Sequence, residues 1–268
     1  MIRRSGTALA VLMIMALAAC AAPAGSRAGA PTAPGAPTAP GGAPTGELTV
    51  LAAASLTEPF TTIGADFEAA NPGTKITFSF GSSATLATQI RAGAPADVFA
   101  AANESTMQTV ADANLAADPQ PFVTNTLQIA VPPGNPAKIT GLADFADPAR
   151  RIALCAVWVP CGSAAQQVFR AAGIEPRPDT LEEDVKAALQ KVRLGEVDAA
   201  LVYRTDVIAA GADVEGIDVD EAASAVNTYP ISVLAESRTP ALAAAFVAYV
   251  RGPAGQAVLS RAGFASPS

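Results

Sequence analysis

From Glu47 onward, short apolar runs alternate with longer stretches in which apolar residues recur at helical spacing. Short runs bounded by small or polar residues are typical of strands, and the longer stretches are typical of amphipathic helices. The first part of this region predicts strands 48–53, 75–80 and 97–101, and helices 56–70, 84–92 and 103–113. Such alternation favours an α/β fold with parallel strands.

The second part of the chain repeats the alternation and closes with two helices. It predicts strands 126–131, 151–155, 199–203 and 229–235, and helices 163–172, 181–194, 205–210, 240–250 and 254–261. We interpret the order as two sheets connected by extended crossings at 122–128 and 226–231, which would form a hinge beside a cleft. Because α/β sheets bind ligands at the carboxyl ends of their strands, this cleft is the expected site. Periodicity alone also allows the single doubly wound sheet of an unrelated enzyme.

The predicted crossings define two lobes and a preceding tether. Lobe I comprises 47–125 together with 230–268, and lobe II comprises 126–229. Apart from Arg27, the segment that follows Cys20 as far as residue 46 contains only Ala, Pro, Gly, Thr and Ser. This composition provides no large apolar side chains for a core, so 20–46 is predicted to be a disordered tether.

The first residues have the pattern of a secretory signal. Arg3 and Arg4 form a basic start, and the apolar run over 7–19 is too short for a typical membrane span. The run ends in Leu-Ala-Ala-Cys, which resembles a bacterial lipobox, so we expect a signal peptide at 1–19 and lipidation of Cys20. An ordinary signal peptide followed by a chance cysteine is the alternative. With the lipid anchor, the expected location is the extracytoplasmic face of the cell membrane.

Composition excludes several kinds of chemistry. The chain has no histidine, which excludes Ser-His-Asp and Cys-His catalysis and metal sites with histidine ligands. The formal net charge is −7, so a nucleic-acid-binding surface is not expected. An acidic protein that binds an anion must attract it with local dipoles, because the field of the whole molecule repels it.

Two strand-to-helix junctions in the first part have the features of an anion site. Strand 48–53 leads into Ser55-Leu-Thr-Glu58, a capping-box pattern that predicts Ser55 as the N-cap of a helix. Strand 75–80 leads into Gly-Ser-Ser83 and another helical run. Backbone N–H groups at helix starts have no partner within the helix and attract anions. The two junctions together predict a site for a small oxyanion, formed by neutral donors.

Two cysteines remain in the folded region. Cys155 ends a predicted strand, and Cys161 lies six positions further on, in a Pro-Cys-Gly turn. Conditions outside the cytoplasm are oxidising, so we expect a disulfide between them, with free thiols as the alternative.

Several segments resemble the periplasmic molybdate-binding proteins of ABC transporters. The most specific pair is Ala-Ala-Ala-Ser-Leu-Thr at 52–57 and Ala-Gly-Ala-Pro-Ala-Asp at 92–97. Further matching segments are Phe-Gly-Ser-Ser at 80–83, Val-Pro-Cys-Gly at 159–162, Glu-Asp-Val at 183–185, Leu-Val-Tyr at 201–203 and Tyr-Pro-Ile at 229–231. The resemblance covers 47–268 and implies the type II fold of periplasmic binding proteins, with two Rossmann-like lobes, mixed and mainly parallel sheets, and a two-segment hinge.

The resemblance implies a set of anion ligands in the cleft. Ser55 and Ser83 would each donate a hydroxyl and a backbone N–H. Tyr203 would donate its phenol O–H from the other lobe. Cys161 and Val185 would each donate a backbone N–H.

The register of one ligand and the position of one carboxylate stay open. Ser82 replaces Ser83 as the ligand if the register differs by one residue. The carboxylate of Asp184 would weaken the case for an anion site if it pointed into the cleft.

The resemblance also implies a role in transport and not in catalysis. The protein would capture molybdate or tungstate between its lobes and deliver it to an ABC transporter permease, as a monomer without a cofactor. Molybdenum would enter as its oxyanion, without direct coordination by side chains. The alternatives are a binding protein for another tetrahedral oxyanion, such as sulfate or phosphate, and a lipid-anchored domain with no transport role. A serine hydrolase is disfavoured because the chain has no histidine and neither Ser55 nor Ser83 begins a Ser-x-x-Lys motif.

Overall fold

The computed structural model describes residues 45–267. Its strands are β1 Gly46–Ala53, β2 Thr74–Gly81, β3 Val98–Ala100, β4 Ala116–Asn125, β5 Leu127–Val131, β6 Ile152–Cys155, β7 Thr180–Glu182, β8 Ala199–Tyr203, β9 Glu215–Ile217 and β10 Asn227–Leu234. Its helices are α1 Thr57–Ala70, α2 Ser83–Arg91, α3 Glu104–Ala111, α4 Pro160–Ala172, α5 Val185–Arg193, α6 Arg204–Ala210, α7 Pro240–Arg251 and α8 Pro253–Arg261. The predicted signal peptide, Cys20 and nearly all of the tether lie outside the described residues.

The strands form two mixed sheets of five strands each. Sheet A has the order β2-β1-β3-β10-β4, and sheet B has the order β7-β6-β8-β5-β9. In sheet A, β1 runs parallel to β2 and β3, and β10 runs antiparallel to β3 and β4. In sheet B, β6 runs parallel to β7 and β8, and β5 runs antiparallel to β8 and β9. The parallel strands of each sheet therefore end on one edge, where ligand sites of α/β folds lie.

Each sheet is covered by helices and has its own apolar core. Strand β1 is buried on both faces, as expected for a central strand of a parallel sheet between layers of helices. Beside it, Phe60 of α1 packs against Phe122 and against Phe246 of α7, with ring centroids 5.9 and 6.2 Å apart. Around sheet B, buried residues of α4 and α5 such as Phe169 and Leu189 form a separate cluster. These cores fix the strand ends on which the site is built.

The chain changes sheet at two places. It leaves sheet A at Asn125 and enters sheet B at Leu127, and it returns to sheet A when β10 begins at Asn227. The exact lobe bounds, 47–125 with 230–268 and 126–229, stay a prediction.

The hydrophobic pattern did not predict three of the described strands, and each of them lies at a sheet edge: β4, β7 and β9. Strand β4 contains Pro119 and Pro121, which lack the N–H that a central strand must donate. Among the described strands it is paired with β10, and on its other side Thr124 forms a single bridge with Ala265. The backbone around the two prolines therefore needs no second partner strand. Edge strands tolerate proline for this reason. Because prolines argue against a strand in a sequence-based prediction, β4 was not predicted.

The predicted N-cap at Ser55 and the predicted helix start at 181 are both wrong. Ser55 lies in a 3₁₀ turn, Ala54–Leu56, and α1 starts at Thr57 without a side-chain cap. The residues 180–182, predicted to open a helix, form β7, and Asp184 caps α5 by accepting from the N–H of Ala187 at 3.0 Å. Helix α4 begins at Pro160, earlier than predicted, because proline is favourable at the first helical position.

Within the described residues, no single helix has both the length and the apolar composition to cross a membrane. Helices α7 and α8 meet those two criteria only as a pair, and the pair is bent by 54°.

Candidate functional site

A small cavity lies where the carboxyl ends of parallel strands from both sheets meet. The space open to the centre of a water-sized sphere is about 20 Å³, so the cavity suits a compact ion and is too small for a sugar or an amino acid. From sheet A it is lined by Ala53, Ala54, Ser55, Gly81, Ser82, Ser83 and Ala102, and from sheet B by Val159, Pro160, Cys161, Asp184, Val185 and Tyr203. All five residues predicted as anion ligands are therefore brought to one cavity. Their binding role stays a prediction.

Ser55 lies at the end of β1 with its side chain buried. Its hydroxyl oxygen is 2.9 Å from the hydroxyl of Tyr229 in β10. Asn125 approaches the same tyrosine oxygen with its Nδ2 at 3.4 Å. Either hydroxyl can donate in the contact between Ser55 and Tyr229. In one arrangement Tyr229 accepts from Asn125 and donates its own proton to Ser55. Ser55 then accepts from behind and keeps its proton for the cavity.

Ser83 is the first residue of α2 and is almost fully buried. Its hydroxyl oxygen accepts the backbone N–H of Ala102 at 3.0 Å, which again leaves the hydroxyl proton free to donate. The neighbouring Ser82 also lines the cavity, and its buried hydroxyl has no hydrogen-bond partner within the described chain. The structure therefore offers both serine hydroxyls to the cavity.

Tyr203 ends β8 and reaches the cavity from the sheet B side. Its hydroxyl accepts from Nδ2 of Asn227 at 3.0 Å, and the same amide donates to the carbonyl of Ala102 at 2.8 Å. Burial raises the pKa of the Tyr203 phenol well above its usual value. The phenol therefore stays protonated at neutral pH and can serve as a donor.

Three helices of at least two turns start at the cavity. Ser83 opens α2, Pro160 and Cys161 open α4, and Val185 opens α5. The first N–H groups of a helix have no partner within it, and they carry the positive end of the helix dipole. These backbone groups give the cavity a positive potential without a cationic side chain.

The start of α4 is held tightly against the loop that precedes it. A disulfide joins Cys155, the last residue of β6, to Cys161, with Cα atoms 5.8 Å apart. A Cβ at Gly162 would lie 1.9 Å from the carbonyl oxygen of Ala156, so only glycine allows this close approach. Together these two features fix the turn that presents the N–H of Cys161.

Asp184 is the single charged side chain among the residues that line the described cavity. Its Oδ1 accepts the N–H of Ala187, so this oxygen is directed to the start of its own helix. Arg91 and Arg151 do not line the cavity, and Arg151 pairs with Asp198 at 2.7 Å. Donors to an anion here are therefore hydroxyls and backbone amides.

Sequence reasoning missed the residues that orient the hydroxyl groups. Tyr229 contacts Ser55 from a distant part of the chain, and Asn125 contacts Tyr229 in turn. Asn227 contacts Tyr203 from the other sheet. Asn125 and Asn227 lie at the two places where the chain changes sheet. Each predicted crossing contains one of these asparagines, and a polar residue at such a place was the sequence signal that could have identified them.

Comparison with known proteins identifies relatives over most of the chain. The profile of a family described as bacterial extracellular solute-binding protein matches residues 48–265. A molybdate-binding protein ModA from Mycobacterium tuberculosis is 44% identical over 221 residues, which are 82% of this chain and 85% of the relative.

Solved structures share the architecture at lower identity. The periplasmic molybdate-binding protein of Azotobacter vinelandii has a TM-score of 0.70 at 20% identity and covers 82% of this chain and 100% of its own. The sulfate-binding protein SubI of Mycobacterium tuberculosis has a TM-score of 0.69 at 18% identity, over 81% of this chain and 86% of its own. At these identities the likeness shows the fold, and it confirms the predicted fold class of two lobes with mixed sheets.

Proposed function

Because this chain belongs to the family of bacterial extracellular solute-binding proteins, we propose that its cavity captures molybdate outside the cytoplasm and delivers it to an ABC transporter permease. The relative from Mycobacterium tuberculosis bears the name of a molybdate-binding protein. The protein binds its anion without chemical conversion, and tungstate, a tetrahedral dianion of the same shape, is a second ligand. No cofactor is required, and no nucleic acid takes part.

The observation that carries this proposal is a polar partner behind each of three hydroxyl groups at the cavity. Ser55, Ser83 and Tyr203 each have a polar group behind the hydroxyl oxygen, at 2.9, 3.0 and 3.0 Å respectively. A hydroxyl that accepts from behind has its proton left for the cavity, where an oxyanion needs donors and offers only acceptors. Donors arranged in advance lose little free energy to reorientation when the anion arrives.

Backbone amides complete the proposed donor set. The N–H groups of Ser55 and Ser83 act from the sheet A side, and those of Cys161 and Val185 act from the sheet B side. Hydrogen bonds to a charged partner contribute about 1.5–3 kcal/mol each, so several of them offset the loss of water from a dianion. Ser82 adds its otherwise unpartnered hydroxyl to this set.

Selection among oxyanions follows from size and from protonation. Molybdate and tungstate are larger than sulfate, so donors spaced for the larger ions leave some oxygens of sulfate without a partner. Hydrogen phosphate carries a proton that needs an acceptor, and the cavity lining offers mainly donors. Discrimination by unpaired polar groups is strong in buried sites.

A thermal-shift panel on the purified protein tests this function. We expect molybdate and tungstate at about 100 times Kd to stabilise the fold by roughly 2.7 kcal/mol, which raises Tm by about 5–10 °C. Sulfate and phosphate should change Tm little. A flat response to both metal oxyanions would contradict the proposal, and a response to sulfate alone would assign the cavity to a different tetrahedral anion.

We also propose that the protein acts as a monomer anchored through lipidated Cys20. The tether 20–46 would let the folded region reach a permease in the same membrane. Replacing Cys20 by Ser should release the protein from the membrane fraction, as measured by immunoblotting after cell fractionation. Retention of the variant in that fraction would contradict the anchor.

A further inference from the structure

We propose that Glu58, Lys186 and Asp206 form an ionic latch that holds the two sheets in the closed arrangement around the cavity. Nζ of Lys186 lies 2.8 Å from both carboxylate oxygens of Glu58 and 3.2 Å from Oδ1 of Asp206. Glu58 belongs to α1 on the sheet A side, whereas Lys186 and Asp206 belong to α5 and α6 on the sheet B side. The lysine therefore bridges the cleft.

Each member of the latch closely follows a proposed ligand in sequence. Glu58 follows Ser55 in the first turn of α1, Lys186 directly follows Val185, and Asp206 follows Tyr203 in the first turn of α6. The latch thus joins three helices that begin at a proposed ligand or within two residues after it. Its members act as positioning residues, because they lie behind the donors and do not line the cavity.

Asp206 anchors the lysine on the sheet B side. Its side chain is fully buried, and among the described residues Lys186 is the cation that pairs with it. Burial raises the pKa of Asp206 to about 6 against the lowering effect of Lys186, so the carboxylate is ionised at neutral pH. Burial alone would lower the pKa of Lys186, but Asp206 and Glu58 together raise it. The lysine therefore stays charged and in place.

Glu58 is the member that responds to closure. Its side chain is 52% exposed and its partner comes from the other sheet, so opening the cleft separates the two charges and returns Glu58 to water. The Lys186–Asp206 contact lies within one side and does not depend on closure. Loss of Glu58 should therefore favour the open arrangement without unfolding the sheet B side.

The first test needs no anion. We expect Glu58→Gln to increase the radius of gyration in small-angle X-ray scattering while Tm stays nearly unchanged, because an exposed pair contributes little to overall stability. The matched control is Lys191→Met, which removes a lysine on the same helix whose Nζ lies 2.7 Å from Glu196, away from the cavity. This control should keep the wild-type radius.

A second test measures how long the anion stays bound, and this effect rests on the proposed function. We expect Glu58→Gln to raise the molybdate dissociation rate about fivefold in a tungstate-displacement experiment, with Lys191→Met at the wild-type rate. Lys186→Met should have at least the same effect but also lower Tm, since it leaves Asp206 buried without its cation.

The outcomes separate the latch from the function. Equal radii for wild type, Glu58→Gln and Lys191→Met would overturn the latch, whatever the anion result. An enlarged Glu58→Gln together with a wild-type protein that binds no molybdate would overturn the proposed function and leave the latch standing.

Discussion

At the scale of single residues, Tyr203 combines a hydroxyl held by a hydrogen bond with a phenol that stays protonated. Its hydroxyl accepts from Asn227, its pKa is raised by burial, and its proton is therefore held as a donor at neutral pH. A tyrosine that ends a buried strand is usually a packing residue. Here Asn227, which comes from the other sheet, orients the hydroxyl towards a polar cavity.

Replacing Tyr203 by Phe removes this donor and leaves the ring in place. We expect molybdate affinity, measured by isothermal titration calorimetry, to fall by about ten- to a hundredfold, which corresponds to one hydrogen bond to a charged group. The matched control is Tyr249→Phe, because Tyr249 of α7 packs against Phe67 and does not line the cavity. Similar losses in both variants would indicate that the phenol of Tyr203 does not contact the anion.

At the scale of elements, Asp97 ties three segments of sheet A together. The residue precedes β3, and its carboxylate accepts from the N–H of Thr49 at 2.8 Å, the hydroxyl of Ser237 at 2.7 Å and the N–H of Arg238 at 3.0 Å. These contacts give Asp97 a structural role away from the cavity. Burial by itself would raise the pKa of Asp97, but the hydrogen bonds from Thr49, Ser237 and Arg238 outweigh it and lower the pKa.

The sign of this shift predicts a pH dependence. An acid with a lowered pKa stabilises the folded state above its ordinary value of 3.8, and this stabilisation is lost as the pH falls through the lowered pKa. We expect Asp97→Asn to lose about 2 kcal/mol at pH 7, seen as a Tm lower by about 4–8 °C. The difference in Tm between Asp97→Asn and wild type should become smaller below about pH 4.

An exposed aspartate provides the control for this prediction. Asp112→Asn changes an exposed carboxylate that accepts from Nε2 of Gln108 at 2.6 Å, and the Tm of this variant should follow wild type at every pH. A gap between Asp97→Asn and wild type that stayed constant down to pH 2 would show that the charge of Asp97 does not stabilise the fold.

The elements that could be predicted are those set by local patterns. Strands β1 and β8 and helices α1 and α7 were found because their apolar spacing continues through the element. The local pattern predicted Ser55 as a helix cap and could not show that its hydroxyl instead contacts Tyr229, 174 positions away. Strand β4 was hidden by prolines that are acceptable only at a sheet edge, and no local pattern shows where an edge will be.

The residues of the candidate site differ in the same way: those in a local sequence motif could be predicted, and those that act through long-range contacts could not. The resemblance brought forward Ser55, Ser83, Cys161, Val185 and Tyr203, and the fold gathers them at one cavity. The residues behind them, such as Asn227 and Lys186, could not be found in this way. Their contacts join segments far apart in sequence or on opposite sides of the cleft.

The whole molecule works against its proposed ligand at long range. With a formal net charge of −7, the protein repels a dianion at long range. Attraction by the amides and hydroxyls of the cavity exceeds this repulsion only at short range. Salt screens the long-range repulsion more than the short contacts in the cavity. We therefore expect the association rate of molybdate to rise about two- to threefold between about 10 mM and about 100 mM salt.

Stopped-flow fluorescence can measure this rate through the one tryptophan of the chain, Trp158, which is exposed on the loop before α4. Uncharged osmolyte at matched concentration serves as the control and should leave the rate unchanged. A rate that falls with salt would mean that a positive local surface steers the anion, in conflict with the overall charge.

The covalent link between Cys155 and Cys161 makes the structure of the turn at the start of α4 depend on the redox state of the compartment in which the protein folds. A chain retained in a reducing cytoplasm would carry two thiols there, and the start of α4 would gain freedom on the wall that presents a proposed donor. Recombinant material prepared without export would then underestimate the affinity of the exported protein. Export to an oxidising compartment therefore allows the disulfide to form and to fix the turn at the start of α4.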